Sequence, residues 1–190
     1  MLEIGNGFAE AATGVSRILN GSLAIMTDGS LWSCSVEYDD YYITDDVISA
    51  CESEANCYVI KTDHSLWSTK MFSEDETFSG TEIAHGYKDV ASFEIDYEGG
   101  WPEFVLLDAD NVLYYLDYID GDGNLQLKKI ADNIAAFAFS SVNVENDCGT
   151  HFCIDTSGQL YAFGKNYYGV FGKGRTAGYS DTPVTVAFPN

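Results

Sequence analysis

The sequence predicts an all-β chain made of four repeated units, each holding four short antiparallel strands. Three observations carry this. A polar hairpin turn recurs at Asp28-Gly29, Asp63-His64, Asp110-Asn111 and Ser157-Gly158, at spacings of 35, 47 and 47 residues. Each turn is followed by a leucine (Leu31, Leu66, Leu113, Leu160) and then an aromatic residue (Trp32, Trp67, Tyr114, Tyr161). Each turn is also preceded by an apolar strand: Leu23-Ala24-Ile25, Tyr58-Val59-Ile60, Val105-Leu106-Leu107 and Phe152-Cys153-Ile154. Apolar runs on both sides of a short turn are a hairpin signal. A period of 35–47 residues with four strands per period is that of propeller blades.

Taken in order, each hairpin supplies the two middle strands of a blade. The outer strands follow from a second landmark. Ile4/Phe8, Ile43/Val47, Ile83/Val90 and Ile130/Ile134 each read as the end of one strand and the start of the next, joined by a short polar turn such as Thr44-Asp45-Asp46. Small apolar runs follow at Ala9 to Thr13, Ile48 to Cys51, Ala91 to Phe93 and Ala135 to Phe139, as suits a crowded strand near a central axis. Phe8, Ala11, Ala12, Val15, Ile18 and Leu19 fall at helical spacing, but Gly14 interrupts them and the other units lack the pattern. The repeat therefore decides. The expected organisation is one repeat domain, 1–190, with blades at approximately 5–43, 44–83, 84–130 and 131–190. The architecture is thus a partial or unusually small propeller.

Composition agrees. Hydrophobic residues make up 46% and aromatics 14%, enough for a packed core. Nine basic and thirty acidic side chains give a net charge of −21, which repels phosphate backbones and anionic membrane surfaces. Neither nucleic acid nor membrane is an expected partner. The charge is uneven: residues 1–147 carry −22 and residues 148–190 carry +1. Met1 to Gly14 has neither a basic head nor a long apolar run, so a cytoplasmic location is expected. Cys34, Cys51, Cys57, Cys148 and Cys153 match no zinc spacing and read as buried small hydrophobes in a reducing compartment. A Cys51–Cys57 or Cys148–Cys153 disulfide is the alternative.

No catalytic motif stands out, and neither catalysis nor a cofactor is expected. The segment Asp120, Asp122, Gly123, Asn124 resembles part of a calcium loop, but Tyr118 and Lys129 stand where acids are required, and an Asp-Gly hairpin turn explains it better. His64, His85 and His151 show no paired ligand spacing and read as surface or strand-end residues. The glycines at 164–174 lack the Lys-Ser/Thr of a phosphate loop. Among the variable connections, Tyr38-Asp39-Asp40-Tyr41-Tyr42 is the best interaction candidate, with Trp101 in another connection. Tyrosine offers contact area at low entropy cost, and the acids would steer a basic protein partner. A solvated loop whose tyrosines cover blade edges is the plainer reading.

The fourth unit resembles a repeat of the regulator-of-chromosome-condensation family. The match runs through Phe152-Cys153-Ile154, Ser157-Gly158, Leu160-Tyr161-Ala162-Phe163-Gly164, Asn166, Gly169-Val170-Phe171-Gly172-Lys173-Gly174 and Pro183, with phenylalanine at Phe171 in place of the usual leucine. The first three units keep only the hairpin core. The resemblance implies a propeller, seven-bladed in typical members, that serves as a protein-interaction platform; none of the functional residues of those members maps onto this chain. Four units are too few for seven blades. The chain is then part of a longer protein, an arc that stays open or self-associates, or a four-bladed ring. In a self-associating arc, Lys165, Lys173 and Arg175 would meet the acidic loops of another copy. The expected function is a non-catalytic protein-interaction scaffold. A glycan-active or metal-assisted hydrolase and a structural assembly protein are the alternatives.

Overall fold

A computed structural model describes residues 13–19, 22–34, 41–53, 56–70, 78–92, 104–139, 150–166, 169, 171–172 and 178–186. Among them, sixteen strands form four antiparallel sheets, each a meander of four consecutive strands. The first holds β1 (Val15–Ile18), β2 (Leu23–Met26), β3 (Leu31–Ser33) and β4 (Tyr41–Thr44). The second holds β5 (Val47–Ser53), β6 (Asn56–Lys61), β7 (Ser65–Lys70) and β8 (Thr81–His85). The third holds β9 (Tyr87–Ser92), β10 (Phe104–Asp108), β11 (Leu113–Ile119) and β12 (Leu125–Ala131). The fourth holds β13 (Ile134–Phe139), β14 (Thr150–Asp155), β15 (Leu160–Lys165) and β16 (Tyr179–Thr185). The chain is all-β and propeller-like, as its repeats predict.

The four central hairpins share one register: Ile25↔Leu31, Ile60↔Leu66, Leu107↔Leu113 and Ile154↔Leu160. Their loops have three residues, and the third is left-handed: Gly29 (φ 86°), His64 (φ 70°), Asn111 (φ 68°) and Gly158 (φ 88°). This is the hairpin in which a tight turn is followed by a left-handed residue, a conformation that glycine and asparagine tolerate best. A second left-handed residue precedes each sheet: Gly14, Asp46, Gly86 and Asn133. The first sheet therefore starts at Val15. The small-residue run at 9–13, expected to supply its opening strand, ends before it, and residues 1–12 are outside the described set. Thr13-Gly14-Val15 plays the part of Asp45-Asp46-Val47. Asp46→Val places a β-branched side chain at φ 61° and should cost about 1–3 kcal/mol, whereas Asp46→Gly should be close to neutral; chemical denaturation midpoints read the difference.

Consecutive sheets are welded by apolar joints. Leu23, Ile25, Leu31 and Ile43 of the first sheet meet Val47, Ala50, Cys57 and Val59 of the second. Tyr58, Ile60 and Leu66 meet Val90, Phe104, Leu106 and Leu116. Val105, Leu107 and Leu113 meet Ile134, Cys153 and Phe163. Alternate residues of β6 and β10 thus serve opposite joints, which explains why these strands are continuous apolar runs. Cys57 faces the first joint and Cys51 the second, so the two thiols lie on opposite faces of their sheet and are free; Cys153 is also free. The last cluster joins Ala162 of the fourth sheet to Phe171 of the β15–β16 connection and to Val186, which follows β16. No apolar cluster among the described residues joins the fourth sheet to the first.

The joints change one expectation. Leu31, Leu66 and Leu113 are completely buried, but Leu160, at the same register position, is only partly buried, and among the described residues no sheet covers it on the far side. The first strands converge as well. From β1, Arg17 donates through Nη1 to the Ile48 carbonyl of β5 (3.1 Å) and through Nη2 to Asp89 of β9 (2.9 Å), while Ser49 Oγ donates to the same carboxylate (2.5 Å).

Candidate interaction site

A four-strand meander puts its connections at two ends. The β2–β3 type turns and the links between sheets lie at one end, and these are short and uniform. The β1–β2 and β3–β4 type connections lie at the other, and these differ in length and composition. Of the interaction candidates read from the sequence, some are described and some are not. Tyr38, Asp39, Asp40, Trp101, Lys173 and Arg175 lie outside the described residues. Tyr41, Tyr42, Lys165 and the 120–124 turn are described.

The two tyrosines differ. Tyr41 packs against the first joint, and its hydroxyl bonds Ser33. Ser33 Oγ lies 3.2 Å from Ser22 Oγ, which in turn donates to Glu52 of the second sheet (2.7 Å). Burial, first among the causes, raises the Tyr41 pKa. Tyr41 therefore belongs to the joint between the first two sheets, a role that depends on which sheet lies behind β4 and that composition does not display. Tyr42 points the other way. It is exposed, meets Trp32 edge-on (centroids 5.8 Å apart, planes at 74°), and its pKa is raised by desolvation and by a hydrogen bond to Asp45. Of the two tyrosines, it is the one whose ring reaches solvent.

The aromatic residue after each conserved-register leucine is tied to an aspartate. Trp32 Nε1 donates to Ser30 Oγ (2.9 Å), whose hydroxyl donates to Asp28 (2.6 Å). Trp67, Ser65 and Asp63 repeat this at 2.7 Å and 2.5 Å. In the fourth sheet Tyr161 donates directly to Asp155 (3.1 Å), and in the third Tyr114 bonds Asp108. Hydrogen bonds from Ser30, Ser65 and Ser157 respectively lead the causes that lower the pKa values of Asp28, Asp63 and Asp155. The signal was present as Asp-x-Ser-Leu-Trp at 28–32 and 63–67, and as aspartate six residues before tyrosine in the later units.

Asp120 accepts from the backbone N–H groups of Asp122 (3.0 Å) and Asn124 (2.9 Å), from Asn124 Nδ2 (3.2 Å) and from Gln126 Nε2 (3.0 Å). These bonds, the Asn124 backbone first, lower its pKa. Its carboxylate caps the β11–β12 turn, the role expected of an Asp-Gly hairpin. Among the described residues no group of three or more His, Cys, Asp or Glu is placed to hold a metal ion. His64 and His85 are exposed, as expected. His151 is not a surface residue: it is buried in β14 and stacks on Phe139 with centroids 4.3 Å apart. Among the described residues no helix is long and apolar enough to cross a membrane.

No protein-family model and no curated protein sequence matches the chain. Three solved structures illustrate what its fold is similar to. Human WBSCR16 has 14% identity and a TM-score of 0.54, over 88% of this chain and 50% of that one. Prp20p from Saccharomyces cerevisiae, described with its binding to Gsp1p and histones, has 14% identity and a TM-score of 0.56, over 87% and 48%. Yeast RCC1 (Prp20) bound to Kap60 has 12% identity and a TM-score of 0.50, over 86% and 47%. The chain spans about half the length of these structures. The likeness establishes an RCC1-like propeller fold, and at the level of fold the resemblance read from residues 151–186 holds.

Proposed function

We propose that this chain is a non-catalytic protein-interaction scaffold whose loop-bearing end takes a basic protein partner. One observation carries the reading: in four sheets linked by apolar joints, the described strand ends that lead into the variable connections share one end, on a chain of net charge −21. Rigid elements with variable loops favour recognition, and acidic loops favour rapid encounter with a cation-rich surface. Tyr42, with Tyr38, Asp39, Asp40 and Trp101, forms the proposed contact. Tyr41 contributes by holding the segment in place. Histone binding described for Prp20p makes core histones a suitable basic probe.

Calorimetric titration of core histones should show binding that weakens as salt rises. Tyr42→Ala should weaken it about five- to tenfold, as loss of an aromatic contact does, and Asp39→Lys with Asp40→Lys should weaken it further. Absence of heat at low salt would remove the reading. The hydrolase alternative gains no support at the convergent first strands, where Asp89 is held by Arg17 and Ser49.

A second reading, self-assembly, has its own observation. Val15 at the start of the first sheet and Ile154 on the fourth are exposed apolar residues. Lys165, Lys173 and Arg175, in the part of the chain with net charge +1, are the proposed cationic side of such a contact.

A further inference from the structure

The three joints repeat one set of parts. The first residue of each following sheet donates its N–H to the carbonyl of the left-handed turn residue in the sheet before: Val47 to Gly29 (3.0 Å), Tyr87 to His64 (3.2 Å) and Ile134 to Asn111 (2.8 Å). The side chain of that first residue packs with the register pair beside the turn. Val47 clusters with Ile25 and Leu31, Tyr87 packs against the cluster of Ile60 and Leu66, and Ile134 clusters with Leu107 and Leu113.

The chain holds a fourth set of these parts, divided between its two ends. The fourth sheet presents Gly158 in the left-handed turn, flanked by Ile154 and Leu160. The first sheet presents Val15. Thr27 donates to the Gly14 carbonyl (2.8 Å), as Thr62 does to Asp46 (2.7 Å). That makes Val15 and Met26 a non-hydrogen-bonded pair and turns the Val15 N–H away from β2, as the Val47 N–H is turned away from β6. Among the described residues neither the Val15 N–H nor the Gly158 carbonyl has a partner. Their side-chain exposures show the same division. Val15 is 37% exposed, against 4% for Val47 and 2% for Ile134; Ile154 is 40% exposed, against 5%, 0% and 1% for Ile25, Ile60 and Leu107.

We propose that the Val15 end of one copy docks on the Gly158 end of a second copy, building between chains a fourth joint of the same construction. This rests on the assembly reading above and names its contact. The occupant is identified by composition. The first joint uses glycine, isoleucine, leucine and valine (Gly29, Ile25, Leu31, Val47), and the divided set has the same four types in the same roles (Gly158, Ile154, Leu160, Val15). Donor meets acceptor and a β-branched side chain meets the apolar pair. The acidic 1–147 part would also face the 148–190 part, which is not acidic overall. Because the two surfaces differ, the contact is heterologous and either closes into a ring of copies or propagates.

Sedimentation of the full chain over a concentration series tests this. Wild type should reach at least twice the 20.8 kDa chain mass. Val15→Glu and Ile154→Glu, each altering an exposed position, should sediment alone as single chains. An equal mixture of the two should regain about twice the chain mass, because each variant keeps one intact half. Val15→Thr and Ile154→Thr are milder partners that should raise the dissociation concentration at least tenfold, and they supply the readout if a glutamate variant does not fold. A wild-type chain that stays single at high concentration would overturn both the joint and the assembly reading. Assembly that persists in the variants would overturn the joint and leave assembly standing. Failure of the mixture to reassociate would overturn the head-to-tail pairing.

Discussion

Truncating Leu66 to alanine should lower folding stability by about 2–5 kcal/mol, and Leu113→Ala should do the same. Both side chains are completely buried, and each sits between two sheets, so the surrounding structure has little freedom to collapse into the space left. The cost combines lost transfer free energy with a retained cavity. Leu160→Ala should cost only about 1–2 kcal/mol in the isolated chain, because its side chain is already partly in water. Chemical denaturation with an unchanged slope would read all three values. The contrast also reports on the ends of the chain. If copies dock at the Gly158 end, Leu160 gains the cover that Leu31 receives from Val47, and the cost of Leu160→Ala should rise with protein concentration while that of Leu66→Ala should not. Equal losses at Leu66 and Leu160 in dilute samples would mean that the fourth sheet is covered within a single chain.

The repeat was legible because its strongest constraints are local. A left-handed third turn residue, a leucine after it and an apolar strand before it must all fall within about ten residues, so each unit displays them together. Even a turn residue as different as His64 occupies the glycine position, since the register of Ile60 and Leu66 demands it. The opening strand of the first sheet was not legible in the same way. Small residues at 9–13 and the β-branched Val15-Ser16-Arg17-Ile18 both suit a strand, and the choice depends on Gly14 matching Asp46, Gly86 and Asn133 in backbone conformation. Glycine, aspartate and asparagine share that conformation without sharing chemistry. For the interaction site, composition pointed to 38–42, but the opposite roles of Tyr41 and Tyr42 depend on which sheet lies behind β4. The open ends were legible as apolar segments; that they are the two halves of one joint follows from hydrogen bonds between sheets, which carry no sequence signature.

Acidification from pH 6.5 to about 4 should remove roughly 3 kcal/mol of stability through His151 alone. Burial lowers its pKa from 6.5 to about 4, because the imidazolium would leave water for a site lined by Phe139 and Phe163. Above pH 6.5 the ring is neutral in both folded and unfolded chains, and the folded state bears no penalty. Between 6.5 and 4 the unfolded chain takes up a proton that the folded chain refuses, so stability falls with pH at up to 1.36 kcal/mol per unit. Below about 4 the folded ring protonates as well and this contribution levels off. Stacking on Phe139 would favour the cation by about 0.5–1 kcal/mol, which is less than the desolvation cost. The aspartate caps act in a separate window. Asp28, Asp63, Asp120 and Asp155 have folded pKa values below the usual 3.8, so their stabilisation is present above that value and is lost as pH falls beneath it. The two windows can therefore be resolved in one pH series of denaturation curves. His151→Phe should flatten the profile between pH 6.5 and 4 and leave the loss below 3.8 in place. A variant with the same slope as wild type across the upper window would show that His151 is solvated in the folded chain.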